Sequence, residues 1–399
     1  MSYFKGVSIQ SEAGLEMLIG AFGEALVATK RDDVNVRFSY PFYNEDFDLR
    51  PAVLTGSATA TVSDSLLTLS TAVGETAQAQ SREYIRYRNG HTGYADFTAI
   101  IGGATGKAEI GGVDDDGWFV GYDNDASSWY VGRRRGGTDF ITTESSFNGN
   151  LPSNITLDPT KGNIFRIVFG YLGFADGVIL VKVRKWYVLH VIETENALTT
   201  TTIKNPSFPI RAYAEEGATL STASWGGGTL DGADVEAGAR YFTARGSGTL
   251  SGTTVLTLGT FRNKSTYKGV TNKVKAKLLR LLYIIDAPAT GTGTVEFLIR
   301  KNATLAGTPA YTDVDADNSV MEFDTTATYS SGGKLISPEY VLYAAGGGNA
   351  ADTGGQTAEL ADRLGLFLLP EETATITAQG VAGTTNVTVR YAYQWIELF

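Results

Sequence analysis

Hydrophobic and polar positions alternate with a period of two along much of this chain. Val34–Tyr40 alternates apolar with mostly polar residues, and Arg82–Arg88 alternates charged with apolar ones. This is the period of a β-strand that buries one face. Comparable short segments recur every 10 to 15 residues with no helical pattern between them. That spacing favours an all-β protein built of β-sandwiches.

Two pairs of segments predict β-hairpins. Trp118–Tyr122 and Ser128–Arg133 are rich in β-forming residues, and Asp/Gly turn signals stand beside them. Lys273–Ile285 begins as strict alternation, and Val295–Arg300 follows it after a Gly/Thr/Pro turn. We therefore predict that the members of each pair are strands that lie side by side.

One N-terminal stretch has helical periodicity instead. A helix is predicted over Ser11–Leu26, with Ser11 as its N-cap and an apolar stripe along one face. The stripe consists of Leu15, Leu18, Ile19, Phe22 and Leu26. Three glycines weaken this short helix, so it needs a partner surface. That partner is either its own sandwich or another protein, and in the second case the stripe is a docking site.

A change of composition divides the chain near residue 235. Ala212–Ala239 is rich in small polar residues and contains Gly226–Gly228, which is typical of a linker or of a loop that threads between neighbours. We predict an N-terminal docking segment with a short helix at residues 1–33. Two β-sandwich domains follow, at residues 34–234 and 235–399.

Composition and charge narrow the function classes. Of the 399 residues, 43% are hydrophobic, which is enough for packed cores. The net charge of −10 argues against binding to nucleic acid or to anionic lipid. The chain has no cysteine, so disulfides and thiolate metal sites are excluded. No signal-peptide core and no membrane-spanning apolar run is present, so we expect synthesis in the cytoplasm without export and no membrane insertion.

The sequence contains no complete catalytic or metal-binding motif. His91 and His190 lie in different segments, and the Asp-rich turns at Asp114–Asp116 and Asp313–Asp317 lack the full ligand spacing of a calcium loop. Solvated turn carboxylates are the simpler interpretation of these turns, with calcium as the alternative. No nucleophile elbow or phosphate loop is complete. We expect a protein that is not an enzyme and that needs no cofactor or metal.

The first predicted hairpin offers a candidate binding surface. Its aromatic rings could stack on a glycan, and its arginines could contact an acidic partner. The alternatives are core packing for the rings and solvated charge at a hairpin tip for the arginines. The residues concerned are Trp118, Tyr122, Trp129, Tyr130, Arg133, Arg134 and Arg135.

The order of several short motifs resembles a widespread group of virion structural proteins of tailed bacteriophages. In the first half, these motifs are Ala21–Glu24, Ser81–Gly90, Phe97–Ala99, Asp116–Tyr122, Arg134–Gly137, Asn163–Ile167, Tyr171–Gly173, Trp186, His190 and Asn205–Ile210. In the second half, they are Arg262–Tyr267, Lys301–Leu305 and Trp395–Glu397. The chain departs from the group at Asn89, where proline is common.

The resemblance implies a non-enzymatic structural subunit of the virion, of the capsid-decoration, head-fibre or tail-fibre type. It implies concanavalin-like or jelly-roll-like sandwiches. The implied partners are other capsid or tail proteins, contacted through the N-terminal region, and further copies of the chain, as in a trimer. The alternative is a carbohydrate-binding adhesin module for a host-surface glycan, and a glycan-degrading enzyme ranks third.

Overall fold

In the computed structural model, the chain divides into two compact units, Met1–Asp234 and Val235–Phe399. The structure describes residues 9–10, 16–17, 31–40, 43, 48–88, 90–170, 173–195, 197–230, 239–286, 292–344, 367–381 and 386–399. Within these ranges every regular element is a β-strand, apart from a single 3-10 turn at Glu144–Ser146. The all-β class predicted from the alternation is confirmed.

The first unit is made of short antiparallel strands. In chain order they are β1 (Ile9–Gln10), β2 (Glu16–Met17), β3 (Arg31–Arg37), β4 (Val53–Leu54), β5 (Thr59–Ser63), β6 (Leu66–Ser70), β7 (Thr76–Gln80), β8 (Gly93–Gly103), β9 (Lys107–Val113), β10 (Gly117–Asp123), β11 (Ser128–Arg135), β12 (Thr138–Thr143), β13 (Asn163–Phe169), β14 (Gly177–Val183), β15 (Lys185–Ile192), β16 (Ile210–Glu215), β17 (Ala218–Thr222) and β18 (Ser224–Thr229).

Two sheets pack face to face in this unit. Sheet I has the order β12-β11-β10-β9-β16-β7-β4, and sheet II has the order β15-β14-β13-β8-β17-β6-β5. In sheet II, β18 pairs with the first half of β8, and β3 pairs with β18. Because side chains alternate along each strand, one face of each sheet contributes to a shared core. Trp118 of sheet I stacks on Phe169 of sheet II with ring centroids 4.9 Å apart.

The predicted hairpin in the first unit is confirmed. Strands β10 and β11 pair antiparallel, with Tyr122 opposite Trp129. The predicted strand at Arg82–Arg88 is wrong, because this segment makes one isolated bridge, between Ile85 and Phe208. Its backbone is held by a side chain instead: the Asp33 carboxylate accepts a hydrogen bond from the Arg86 amide at 3.1 Å.

The N-terminal helix prediction is wrong where the structure can be compared with it. Glu16–Met17 forms β2, which pairs antiparallel with β1 at Ile9–Gln10. The glycines of this stretch weaken helical structure, and strand pairing satisfies the backbone in its place. The apolar stripe lies outside the described residues, so its docking role stays a prediction. Its residues are Leu15, Leu18, Ile19, Phe22 and Leu26.

The second unit contains longer strands. In chain order they are β19 (Ala239–Leu250), β20 (Leu256–Asn263), β21 (Thr266–Tyr267), β22 (Val270–Thr271), β23 (Lys275–Asp286), β24 (Thr292–Lys301), β25 (Thr304–Ala306), β26 (Thr312–Asp313), β27 (Met321–Asp324), β28 (Thr328–Ser331), β29 (Lys334–Ala344), β30 (Phe367–Leu368), β31 (Thr373–Gly380) and β32 (Val387–Leu398).

These strands form a second two-sheet core. Sheet III has the order β19-β32-β23-β30, and sheet IV has the order β26-β27-β20-β31-β24-β29. The predicted hairpin of Lys273–Ile285 with Val295–Arg300 is wrong, because β23 and β24 lie in different sheets. Their apolar faces meet across the core instead, where Tyr283 stacks on Phe297 at 4.1 Å. In the part of the chain that the structure describes, no helix is long and apolar enough to cross a membrane.

Candidate functional site

The aromatic side chains of the predicted hairpin surface are largely buried. Trp118 and Trp129 are 0% and 1% exposed, and Tyr130 is also buried. The Trp129 indole donates to the Leu157 carbonyl at 3.0 Å, and Tyr122 packs edge-on against Trp129. Burial therefore favours the core-packing alternative, because a glycan cannot reach the faces of buried rings.

The three arginines of this hairpin support the unit itself. Arg133 and Arg135 lie on one side and donate to the carbonyls of Thr202 and Thr201 at 2.7 and 2.8 Å. Arg134 points to the other side of sheet I. There its Nη2 donates to Glu109 and to Asp139, at 3.0 Å each. These contacts fasten a neighbouring loop and strands to the hairpin, so the guanidinium groups are already engaged.

The Asp-rich turns are likewise satisfied by backbone donors. Asp116 Oδ1 accepts from the amides of Gly136 and Lys204 at 3.0 and 2.7 Å. Asp315 Oδ1 accepts from the amides of Asp317 and Asn318 at 2.9 and 3.0 Å. Among the described residues, no group of three or more His, Cys, Asp or Glu side chains converges as metal ligands would. The geometry favours the turn-carboxylate interpretation of both segments.

A groove of about 270 Å³ lies on the outer face of sheet II, along β18. Its floor is formed by the small outward residues of β18, among them Ser224 and Gly226. Strand β3 forms one wall and strand β8 forms the other. The Gly226–Gly228 run, which was predicted as a linker or loop, is therefore part of a sheet.

Strand register places the groove side chains in rows across the sheet. Outward positions on adjacent antiparallel strands lie directly opposite each other, so each row runs from β3 over β18 to β8. The rows are Asp32, Gly228 and Tyr94; Asn35, Gly226 and Asp96; and Arg37 and Ser224. Thr98, two residues beyond Asp96, also lines the groove. Polar groups thus face each other across a floor without bulky side chains.

Gly226 and Gly227 of β18 lie on opposite faces of sheet II and have different effects there. Among the described residues, no atom lies within 4 Å of where a Cβ atom at Gly226 would be, so this position leaves open space above the floor. A Cβ atom at Gly227 would collide with the Ile85 side chain in the core. Gly227 therefore allows close packing inside the unit, whereas Gly226 keeps the groove open.

At one end of the groove, the carboxylate of Asp32 is held in place by neighbouring side chains. The Tyr94 hydroxyl donates a hydrogen bond to Asp32, and the Asn35 amide lies 3.5 Å from the same carboxylate. Burial, with the Asp32 hydrogen bond as a second cause, raises the pKa of Tyr94, so its hydroxyl stays protonated as a donor. A register shift in β3 separates Asp32 from Asp33, whose carboxylate turns away to pair with Arg88 at 3.1 Å.

The second carboxylate of the groove is held by a bidentate ion pair. Arg166 on β13 donates from Nε and Nη2 to the two oxygens of Asp96 at 2.6 and 2.8 Å. The same guanidinium lies 4.7 Å from the ring centre of Trp186, a half-buried residue on β15. Ile164, 40% exposed, adds apolar surface at the edge of the groove. The site thus offers hydrogen-bond acceptors and donors beside apolar patches, which suits a ligand with many hydroxyl groups.

Sequence reasoning missed these groove residues, although part of the signal was present. The alternation at Val34–Tyr40 correctly predicts a strand, and it sets Asn35 and Arg37 on the polar face. The outward positions of β18 at 224, 226 and 228 are all small, but Gly226–Gly228 is an unbroken glycine run, and glycine is more typical of turns than of strands. Nothing in the local pattern indicates that β3 and β18 become neighbours.

No protein-family model and no curated protein matches the sequence. Similar solved structures include a legume lectin-like domain from Entamoeba histolytica, with 12% identity and a TM-score of 0.33 over 50% of this chain and 97% of that one. Lectin I-B4 from Griffonia simplicifolia, in its metal-free form, shows 14% identity and a TM-score of 0.32 over 49% and 99% of the two chains. At these TM-scores, the similarity supports no inference about the ligand of this chain.

Proposed function

We propose that this protein binds carbohydrate in the groove along β18. The observation that carries the proposal is the open floor at Gly226, which lies between Asn35 on one wall and Asp96 on the other. Sugar hydroxyls both donate and accept hydrogen bonds, and the amide, carboxylate and hydroxyl groups of the walls can do the same. Ile164 and Trp186 supply apolar surface for the C–H faces of a sugar ring.

The size of the groove indicates how much of a glycan it takes. Its volume of about 270 Å³ lies just below the usual range for ligand pockets, about 300 to 1,000 Å³. One sugar ring therefore occupies the groove, and the rest of the glycan lies on the outer face of sheet II. In this arrangement, the groove holds one sugar ring in place, and the other sugar units can adjust their position on the sheet.

The groove chemistry supports binding without cleavage. Glycoside hydrolysis needs one carboxyl group that is protonated near neutral pH and a second one that is ionised. In the groove, Asp32 accepts a hydrogen bond from the Tyr94 hydroxyl and Asp96 accepts two from Arg166, so both carboxylates are already engaged within the unit. These contacts support our proposal of a binding role without catalysis.

The test is glycan-array screening followed by calorimetry with Gly226→Leu. The new side chain enters open space and fills the groove, so we expect the fold to be kept and affinity for the selected glycan to fall at least tenfold. Thr61→Leu is the matched control, since it adds an exposed leucine to β5 at the opposite edge of sheet II. Unchanged affinity of Gly226→Leu would move the site elsewhere, and the absence of any glycan ligand would refute the function.

We propose, as a second function compatible with the first, that the protein is a structural subunit of a tailed-phage virion. Its supporting observation is apolar side chains on strands at the sheet edges. Ile141 on β12 is 53% exposed and Leu342 on β29 is 75% exposed, and β12 and β29 are edge strands of sheets I and IV. Apolar edge strands suit contacts with further copies or with other virion proteins.

Deletion of residues 1–30 tests the virion role, because the resemblance to phage virion proteins implies attachment through this region. We expect the truncated protein to keep glycan affinity and to be lost from particles, and native mass spectrometry of the full chain to show a homo-oligomer such as a trimer. Incorporation at normal copy number would refute N-terminal docking. A monomer at micromolar concentration would refute self-assembly.

A further inference from the structure

We propose that the glycan is acidic and that Arg37 and Lys182 hold its carboxylates, with a sugar ring placed against Trp186. This inference rests on the proposed function and specifies the ligand class of the same face. Three features carry it: the alignment of these side chains across the sheet, the charge of their row, and the aromatic ring at the end of that row.

The alignment follows from strand register. Arg37 on β3 lies opposite Ser224 on β18, Thr98 on β8 lies opposite Ile164 on β13, and Lys182 on β14 lies opposite Trp186 on β15. Phe165 pairs with Val181, so Ile164 and Lys182 are neighbours as well. With strands about 4.8 Å apart, Arg37 and Lys182 are separated by about 19 Å, a span of several sugar units.

The row that contains Arg37 and Lys182 is positively charged, unlike the other rows of the groove. Arg166, in the next row, is neutralised by Asp96, and Asp32 lies two rows from Arg37. Arg37 and Lys182 are both exposed, and neither forms an ion pair within the described part of the chain. The net charge of −10 acts weakly here, since the Debye length at physiological salt is about 8 Å. Two cations without acidic neighbours in their row favour an anionic ligand.

Arg37, Lys182 and Trp186 each contact a different part of the proposed glycan. The planar guanidinium of Arg37 can bind a carboxylate through two parallel hydrogen bonds, and the ammonium of Lys182 supplies a point charge. Trp186 presents a half-buried ring with Lys182 Nζ 5.9 Å from its centre. A carboxylated sugar chain satisfies these groups at once: one ring lies in the groove, carboxylates lie at the cations, and an outer ring stacks on Trp186.

The experiment compares matched glycans that differ in charge alone. Oligosaccharides that contain galacturonic, glucuronic or sialic acid are titrated beside their methyl esters, and dextran sulfate reports general attraction to polyanions. We expect the acidic member of at least one pair to bind at least tenfold more tightly. Arg37→Gln and Lys182→Gln should each reduce this preference several-fold, Arg37→Lys should restore part of it, and Trp186→Ala should weaken both members equally.

Arg280→Gln is the matched control, since it removes one exposed positive charge from the second unit. Equal affinity for acid and ester in every pair, with both lost in Gly226→Leu, would overturn the acidic-ligand inference and leave carbohydrate binding intact. A preference that dextran sulfate shares and that Arg37→Gln and Lys182→Gln do not change would also overturn it. If no glycan of either kind binds, both proposals fail.

Discussion

The outer faces of sheets I and II use the same residue type to opposite effect. On sheet I, outward glycines are covered: the Tyr130 ring lies over Gly121, and the Phe119 ring lies 2.5 Å from where a Cβ atom of Gly132 would be. On sheet II, no atom of the described part of the chain lies within 4 Å of where a Cβ atom of Gly226 would be. Glycine in a strand therefore creates a binding surface only where its neighbours leave it uncovered.

The charged side chains on the outer faces of sheets I and II differ in the same way as the glycines. On sheet I, Glu109 accepts from both Arg134 and Arg211, so each guanidinium is occupied within the unit. On sheet II, Arg37 and Lys182 project from the row that ends at Trp186. One face is closed by its own contacts, whereas the other keeps groups available for a ligand.

The largest expected difference between the faces comes from removing one ring on each. Phe119→Ala deletes a fully buried ring that covers Gly132, so we expect the free energy of unfolding to fall by about 3 to 5 kcal/mol. Trp186→Ala removes a half-buried ring and should cost about 1 kcal/mol. Urea denaturation measures both. Similar losses at the two sites would contradict the division into a closed and an open face.

The same substitution at two glycines sharpens the comparison. Gly132→Leu forces a side chain into the space of the Phe119 ring, and such overpacking should lower stability by about 1 to 3 kcal/mol. Gly226→Leu enters open space, and a leucine in a strand replaces a weak strand former, so its stability should stay within about 0.5 kcal/mol of wild type. Thermal unfolding monitored by circular dichroism checks both variants, and strong destabilisation by Gly226→Leu would show that the groove floor is packed.

Removing one cation from each face gives a smaller difference. Arg134→Gln breaks the pairs with Glu109 and Asp139, but Arg211 still neutralises Glu109, so we expect a loss of about 2 kcal/mol. Arg37→Gln should leave stability within about 0.5 kcal/mol, since no ion pair involving Arg37 is found among the described residues. Chemical denaturation at low and high salt measures these values. A salt-sensitive loss in Arg37→Gln would reveal a structural role for that side chain.

The smallest effect concerns pH and His190 at the edge of sheet II. Burial lowers the pKa of His190 below its ordinary value of 6.5, so the folded protein keeps the ring neutral while the unfolded chain becomes protonated. Stability contributed by this group is therefore full above about pH 6.5 and decreases as the pH falls toward the lowered folded pKa. His190→Gln should lack this decrease in denaturation curves between about pH 8 and pH 5. An identical pH profile in the variant would assign the change to other groups.

Local patterns were sufficient for several strands and for one hairpin. The period of two predicts β3, β10, β11 and β23, and the hairpin of β10 with β11 follows from its turn signals. The pattern could not distinguish strands that pair from strands that face each other, because both have the same alternation. For this reason β23 and β24 were paired wrongly.

The candidate site was harder to predict because it depends on distant neighbours. The groove joins β3, β8 and β18, which are far apart in the chain, and its floor is recognised by what is absent above Gly226. Trp118 and Trp129 were considered as part of a binding surface because the sequence alone does not show that their rings are buried. The aromatic residues that the sequence suggested as a binding surface are largely buried, whereas the groove is lined by residues that the sequence did not suggest.

Gly226 also has a consequence for how this protein can diversify. A residue whose side chain would meet only solvent is under little constraint from folding, so its identity can drift without loss of the fold. Replacement by alanine, serine or valine would raise the floor in steps and admit smaller ligands each time. One codon thus sets the depth of the groove, and a population of such proteins could explore new ligands through single nucleotide changes while keeping the same scaffold.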